Sequence, residues 1–99
     1  MVSNMTEEYL KIINHFGVNN QQRKLQEEVF ELQEAITKFE NGIGDIKEVE
    51  EELVDVVLLL RQFVEFYEMN PNHLISMEIG KAKRTLERIE SGYYENNPR

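Results

Sequence analysis

The chain contains no cysteine, which excludes disulfide bonds and thiolate zinc sites and fits a reducing cytoplasm. Proline is scarce: Pro71 and Pro98 are the only two, and neither interrupts a periodic apolar segment. No apolar run approaches the roughly 20 residues that cross a bilayer. The N-terminal stretch lacks the basic and apolar regions of a signal peptide. A cytoplasmic protein without membrane contact is the expectation. Positive charge is also in short supply. Eleven Lys and Arg stand against nineteen Asp and Glu, a formal net charge of −8. That balance argues against a sequence-independent grip on DNA or RNA, which needs a basic surface. It does not argue against a small nucleotide ligand, because a cation held by an acidic site can bridge to phosphate.

What is present is helical periodicity. Ninety-nine residues with 40% hydrophobic content are enough for one all-α domain over residues 1–99, with a core from about 5 to 92. Asn4 reads as the N-cap of a first helix from about Met5 to Phe16, with Glu7 three residues later. After a break at Gly17-Val18-Asn19, a second helix should run from about Asn20 to Asn41. Its apolar stripe is Leu25, Val29, Leu32, Ile36 and Phe39. Asn41-Gly42-Ile43-Gly44 is the clearest turn, with Gly42 suited to the left-handed position. Asp45 then caps a third helix reaching about Met69, with Glu48 in a capping-box position. Leu53 to Leu60 is apolar apart from Asp55, so burial on most sides is expected. Asn70-Pro71 opens a fourth helix that Ser91-Gly92 should end. Residues 93–99 are expected to be a flexible tail, although Tyr93-Tyr94 suit packing on the bundle or on a neighbouring subunit. Helices this long are hard to cover from one short chain, so an oligomer is expected.

One pattern, apolar-x-Glu-Glu-apolar-apolar-acid-apolar, occurs twice, 24 positions apart: Leu25-Gln26-Glu27-Glu28-Val29-Phe30-Glu31-Leu32 and Val49-Glu50-Glu51-Glu52-Leu53-Val54-Asp55-Val56. Each copy sets two acids at i, i+3 on the border of an apolar stripe. A carboxylate there is disfavoured unless something positive meets it. The Gly turn should make helices 2 and 3 antiparallel, so that Glu28, Glu31, Glu52 and Asp55 converge. Carboxylates that close repel even at an effective dielectric of about 20. Either some are protonated or a hard divalent cation, Mg²⁺ or Mn²⁺, joins them through oxygen. A solvated acidic helix face is the competing explanation; it suits Glu34, Glu50 and Glu51 and suits Asp55 poorly. Ala35 is small enough to leave room for a ligand.

Glu27-Glu28-x-x-Glu31, a gap of twenty residues and Glu52-x-x-Asp55 resemble the signature of MazG-like nucleotide pyrophosphohydrolases, of the all-α NTP pyrophosphatase superfamily. Lys24-Leu25-Gln26, Leu32, Ala35 and Val56-Val57-Leu58 fit the same pattern, and the likeness covers about residues 20 to 92. It implies an antiparallel four-helix bundle that assembles as a homodimer or homotetramer. It also implies Mg²⁺-dependent hydrolysis of a nucleoside triphosphate to monophosphate and pyrophosphate. Carried over by position, Glu28, Glu31, Glu52 and Asp55 are metal ligands, and Glu27 is a further ligand or orients the attacking water. Charge neutralisation and in-line positioning are what such chemistry needs.

Lys81, Arg84 and Arg88 share one face of helix 4, where the family tends to carry a Lys-x-x-Arg element. They either contact phosphate or pair with Glu78, Glu87 and Glu90 along a solvated helix. Lys24 has the same two readings beside Glu28 and Glu31. Gly80 could admit a close neighbour. Many relatives carry an extra amide or acid on the last helix; here Ile79 and Gly80 stand nearest, with Glu78 slightly earlier. His15 and His73 lack the Glu-x-x-His spacing of di-iron bundles; His15 and Phe16 either border a base pocket or simply pack. The alternative to an enzyme is a non-catalytic helical interaction module on the same fold.

Overall fold

The computed structural model describes residues 4–99. Among them are five helices and no strand: α1 Thr6–Phe16, α2 Val18–Glu40, α3 Ile46–Phe66, α4 Pro71–Glu90 and α5 Tyr93–Asn96. None is long and apolar enough to cross a membrane.

The helix boundaries follow from local hydrogen bonding. Asn4 Oδ1 accepts from the Thr6 amide at 3.1 Å, but α1 starts one residue later than expected, so Met5 is the N-cap and Asn4 stands one position before it. The break before α2 is Gly17 alone. Asn20, expected to open that helix, lies inside its first turn and donates through Nδ2 to Phe16 O at 2.7 Å. Asp45 Oδ1 accepts from the Lys47 amide at 3.0 Å and fixes the start of α3. Asn70 Oδ1 takes both the Asn72 and His73 amides, at 2.9 and 3.2 Å, ahead of Pro71. Satisfying these otherwise orphaned N–H groups is what makes each residue a stop signal for the preceding loop.

The turn between α2 and α3 needs both of its glycines for different reasons. Gly42 has φ +72°, where an L side chain is strained. At Gly44 a Cβ would lie 2.9 Å from Lys38 Cβ and 3.0 Å from Phe39 N, closer than packed atoms tolerate.

The chain divides into two compact units, one ending at Glu68 and the other beginning at Met69. In the first, α2 packs on α3, and α1 packs on both. Gln21 meets Gln62, while Glu31 meets Glu52. Partner numbers fall as residue numbers rise, so α2 and α3 are antiparallel. Ile13, Ala35, Val56 and Leu59 are the buried apolar side chains.

On α2 the buried face is not the apolar stripe that the periodicity singles out. On α2 the buried residues are Gln21, Glu28 and Ala35, seven apart, whereas Val29, Ile36 and Phe39 are exposed. On α3 they are Val56, Leu59 and Gln62, with Leu53, Val54, Leu58 and Leu60 exposed. Within the unit, α3 is therefore covered on one side rather than on most sides. Small Ala35 lets the helices approach, and the amides are tolerated inside because they bond to each other. Val29, Ile36 and Phe39 face outward, while Leu25 and Leu32 of the same stripe are half-buried.

In the second unit, α4 buries none of its side chains; Ile75, Ile79, Leu86 and Ile89 are all exposed. Within residues 93–99, expected as a flexible tail, α5 forms over Tyr93–Asn96. Gly92, at φ +74°, turns the chain into α5, and the Arg88 guanidinium sits 4.7 Å from the centre of the Tyr93 ring. A cation over an aromatic face is attracted by the ring quadrupole, and this contact ties the last turn back to α4.

Candidate metal centre

Because α2 turns its Gln21–Glu28–Ala35 face inward, Glu28 is carried against α3. It is only 6% exposed. Glu31 lies three residues on, toward the solvent edge, and the antiparallel α3 presents Glu52 opposite. One carboxylate oxygen from each of Glu28, Glu31 and Glu52 lies within 4.8 Å of the others. The three differ in environment: Glu28 is buried, Glu52 half-buried and Glu31 exposed.

The cluster has too little positive charge. Glu28 Oε1 lies 3.2 Å from Lys24 Nζ, which is also 3.7 Å from Glu27. Oε2 of Glu28 and Oε2 of Glu52 are buried without any hydrogen-bond partner. Unpaired buried acceptors are rare, and each calls for a partner. The Glu52 carboxyl titrates above its ordinary value. Desolvation is the largest cause, followed by repulsion from Glu31, Glu28 and Asp55 and by hydrogen bonding of its protonated form to Glu31. Lys24 also titrates above its ordinary value, with its ammonium form stabilised first by the hydrogen bond to Glu28 and then by the charge of that residue.

The donor set fits a hard divalent ion. Three anionic oxygens from two helices, two of their carboxylates with an orphaned buried oxygen, match what Mg²⁺ or Mn²⁺ prefers. No histidine belongs to the cluster. Asp55 is beside it rather than in it. Its charge is felt at Glu52, and it lines a cavity with Lys24 and Glu28. The enclosure expected for Asp55 is not observed: it is exposed, because its neighbours Leu53, Val54 and Leu58 are themselves exposed. Glu27 is exposed as well, next to Lys24.

Two hollows flank the cluster. One, of about 280 Å³, is lined by Glu31, Glu34, Ala35, Lys38, Glu48, Glu51 and Glu52, so Ala35 does leave space beside the acids. The other, of about 200 Å³, is lined by Ile12, Gln21, Lys24, Glu28, Asp55, Leu58, Leu59 and Gln62. Gln21 and Gln62 escape a reading by apolar periodicity because they are polar. The available signal is their spacing. Gln21 precedes Glu28 by seven residues and Gln62 follows Asp55 by seven, which places each two turns along its acid's own face.

Lys81, Arg84 and Arg88 belong to the second unit. Among the described residues none of them forms an ion pair with Glu78, Glu87 or Glu90; Lys24 holds the only salt bridges. Among the described residues a Cβ at Gly80 would meet nothing within 4 Å. His15 packs edge-on against Phe16 at 4.8 Å, and both are exposed, outside both hollows. No protein-family profile matches the chain, and no curated protein and no solved structure matches it either.

Proposed function

We propose that the protein is a Mg²⁺-dependent hydrolase that cleaves a nucleoside triphosphate to monophosphate and pyrophosphate. The observation that carries this reading is the convergence of Glu28, Glu31 and Glu52, with two of their buried oxygens unpartnered. The resemblance to MazG-like enzymes supplies the reaction class. Glu28, Glu31 and Glu52 would hold Mg²⁺ or Mn²⁺, and Asp55 would join them when the substrate closes the site. When bound, the ion neutralises phosphate charge and acidifies a water.

The chain's own residues do the rest. Lys24 Nζ exchanges its contact with Glu28 for a phosphate oxygen, so that positive charge follows the substrate into the site. Glu27 is exposed and adjacent to Lys24, and its carboxylate takes the proton of the attacking water. The water oxygen bonds to the α phosphorus, the bridging P–O bond breaks, and pyrophosphate leaves with the electron pair. A homodimer or homotetramer of four-helix-bundle type, in the cytoplasm, is part of the same proposal. The outward side chains Val29, Ile36, Phe39 and Leu53, Leu60 support it, since apolar side chains grouped on a helix face suit an interface. Those side chains also favour the second reading, a helical interaction module without turnover.

The test is pyrophosphate release from a panel of ribo- and deoxyribonucleoside triphosphates with Mg²⁺ and then with EDTA. Release with Mg²⁺, stopped by EDTA and by Asp55→Asn in a folded protein, is expected. No release from any triphosphate, by a protein whose melting temperature ignores Mg²⁺, would leave the interaction module.

A further inference from the structure

α2 and α3 form an antiparallel hairpin whose acids lie between two anchors. At one end the anchor is the chain itself, through the turn at residues 41–45. At the other, Gln21 Nε2 donates to Gln62 Oε1 at 2.8 Å, and Gln62 Nε2 donates to Leu58 O at 3.2 Å. Both amides are buried, Gln62 almost completely at 1% exposure. The amides and the acids keep one register: Glu31 stands ten residues after Gln21, and Glu52 ten residues before Gln62. Little else on this face sets a register. Both salt bridges among the described residues lie within α2. The only buried apolar side chain of α2 is the small Ala35, and apolar contact has no direction. The acids do not hold themselves together either. Their oxygens converge within 4.8 Å with Lys24 as the near counter-charge, so without a cation repulsion favours separation. A hairpin hinged at its turn relieves that repulsion by opening at the far end or by sliding. A slide of one helical turn is about 5.4 Å, more than the span of the cluster. Either movement would break the amide bond and strand two buried amides, a cost that opposes it.

We infer that Gln21 and Gln62 are positioning residues, whose hydrogen bond clamps the open end of the hairpin and holds Glu28, Glu31 and Glu52 together against their own repulsion. The clamp stands on the geometry; its consequence for a metal ion rests on the function proposed above. An aliphatic pair of similar shape would fill the same space with equal or greater stability, so stability does not account for buried amides here. Direction does. A hydrogen bond is satisfied only over a narrow range of distance and angle, and this one is satisfied in the register that brings the acids together. Ligands held in place beforehand spare the ion the cost of ordering them. Mg²⁺ gains most, because it demands near-octahedral geometry, whereas Ca²⁺ adapts to irregular sites. Neither glutamine touches ion or substrate in this role. Both act through the helices that carry the acids.

The test compares the whole wild-type chain with the double variant Gln21→Met/Gln62→Met. Because the chain has no cysteine, nitroxides attached through Gln26→Cys and Glu50→Cys, both exposed positions, report the α2–α3 separation by pulsed EPR. In EDTA the wild type should give a narrow distance distribution and the double variant a broader one, with a melting temperature no lower than wild type. Calorimetric titration with MgCl₂ should show affinity about tenfold weaker in the double variant, the lower end of what contacts supporting a ligand set contribute. The loss for CaCl₂ should be smaller. At saturating Mg²⁺ the ion assembles the site itself, so kcat should stay near the wild-type value. A purely structural pair would instead lower the melting temperature and leave the distances and the Mg²⁺ affinity unchanged, which overturns the inference. Should the double variant fail to fold, Gln21→Asn, one methylene too short for the bond, takes its place with the same outcomes for distance and affinity. Broadening in a protein that binds no Mg²⁺ would uphold the clamp and remove the metal reading. Broadening with weakened Mg²⁺ binding, but without pyrophosphate release, would uphold the inference and remove only the reaction.

Discussion

Replacing Glu28 by glutamine is expected to stabilise the metal-free protein while abolishing its response to Mg²⁺. Glu28 is 6% exposed, and one of its oxygens has no partner. Its other cluster members lie within 4.8 Å. At that separation two like charges repel by about 0.9 kcal/mol in bulk water and about 3.5 kcal/mol at an effective dielectric of about 20. Glu31 is exposed, which puts its repulsion with Glu28 near the lower figure. The amide also turns an orphaned acceptor into a donor facing carboxylates, a gain of about 1 kcal/mol. Against these stands the lost pair with Lys24. That lysine side chain is 51% exposed, and such pairs contribute about 0–1 kcal/mol. The net is a gain of about 1 kcal/mol, a rise of about 4–8 °C in melting temperature for a domain of this size. Calorimetry at neutral pH in EDTA measures it directly. With Mg²⁺ at about 100 times its dissociation constant, the wild type should gain about 2.7 kcal/mol and the variant far less. A variant that melts below wild type in EDTA, or that gains as much from Mg²⁺, would refute the view of Glu28 as a strained anion awaiting a cation.

Glu52 predicts a pH dependence of the metal-free protein. Its native value is raised above 4.5, so the folded state binds the proton more tightly than the unfolded chain does. The stability it contributes is complete below 4.5 and is lost as pH rises through the raised native value. Melting temperature in EDTA should therefore fall across that window, and Glu52→Gln should flatten the fall; an unchanged profile would remove Glu52 as its source. In the core, Ile13 has no exposed surface, and Ile13→Ala should lower unfolding free energy by about 2–5 kcal/mol. Urea denaturation checks this, and a loss under about 1 kcal/mol would mean that α1 is not anchored through Ile13.

The sequence by itself determined what depends on neighbours within a turn or two. Asp45 and Asn70 supply their caps with local oxygens, and Gly42 takes the left-handed position because no L side chain does so without strain. The doubled acidic octet was legible for the same reason, since i, i+3 spacing fixes a shared helical face before any packing. What it did not determine was which face of each helix turns inward. Leu25, Val29, Leu32, Ile36 and Phe39 form a better apolar stripe than Gln21, Glu28 and Ala35, yet the latter face is buried. That choice depends on pairings made across 41 residues of chain, Gln21 to Gln62, and on the close approach that Ala35 allows. Rotating α2 and α3 in this way draws Glu28, Glu31 and Glu52 together while leaving Asp55 at the rim. Helical periodicity records which residues share a face; only tertiary contact decides what that face meets.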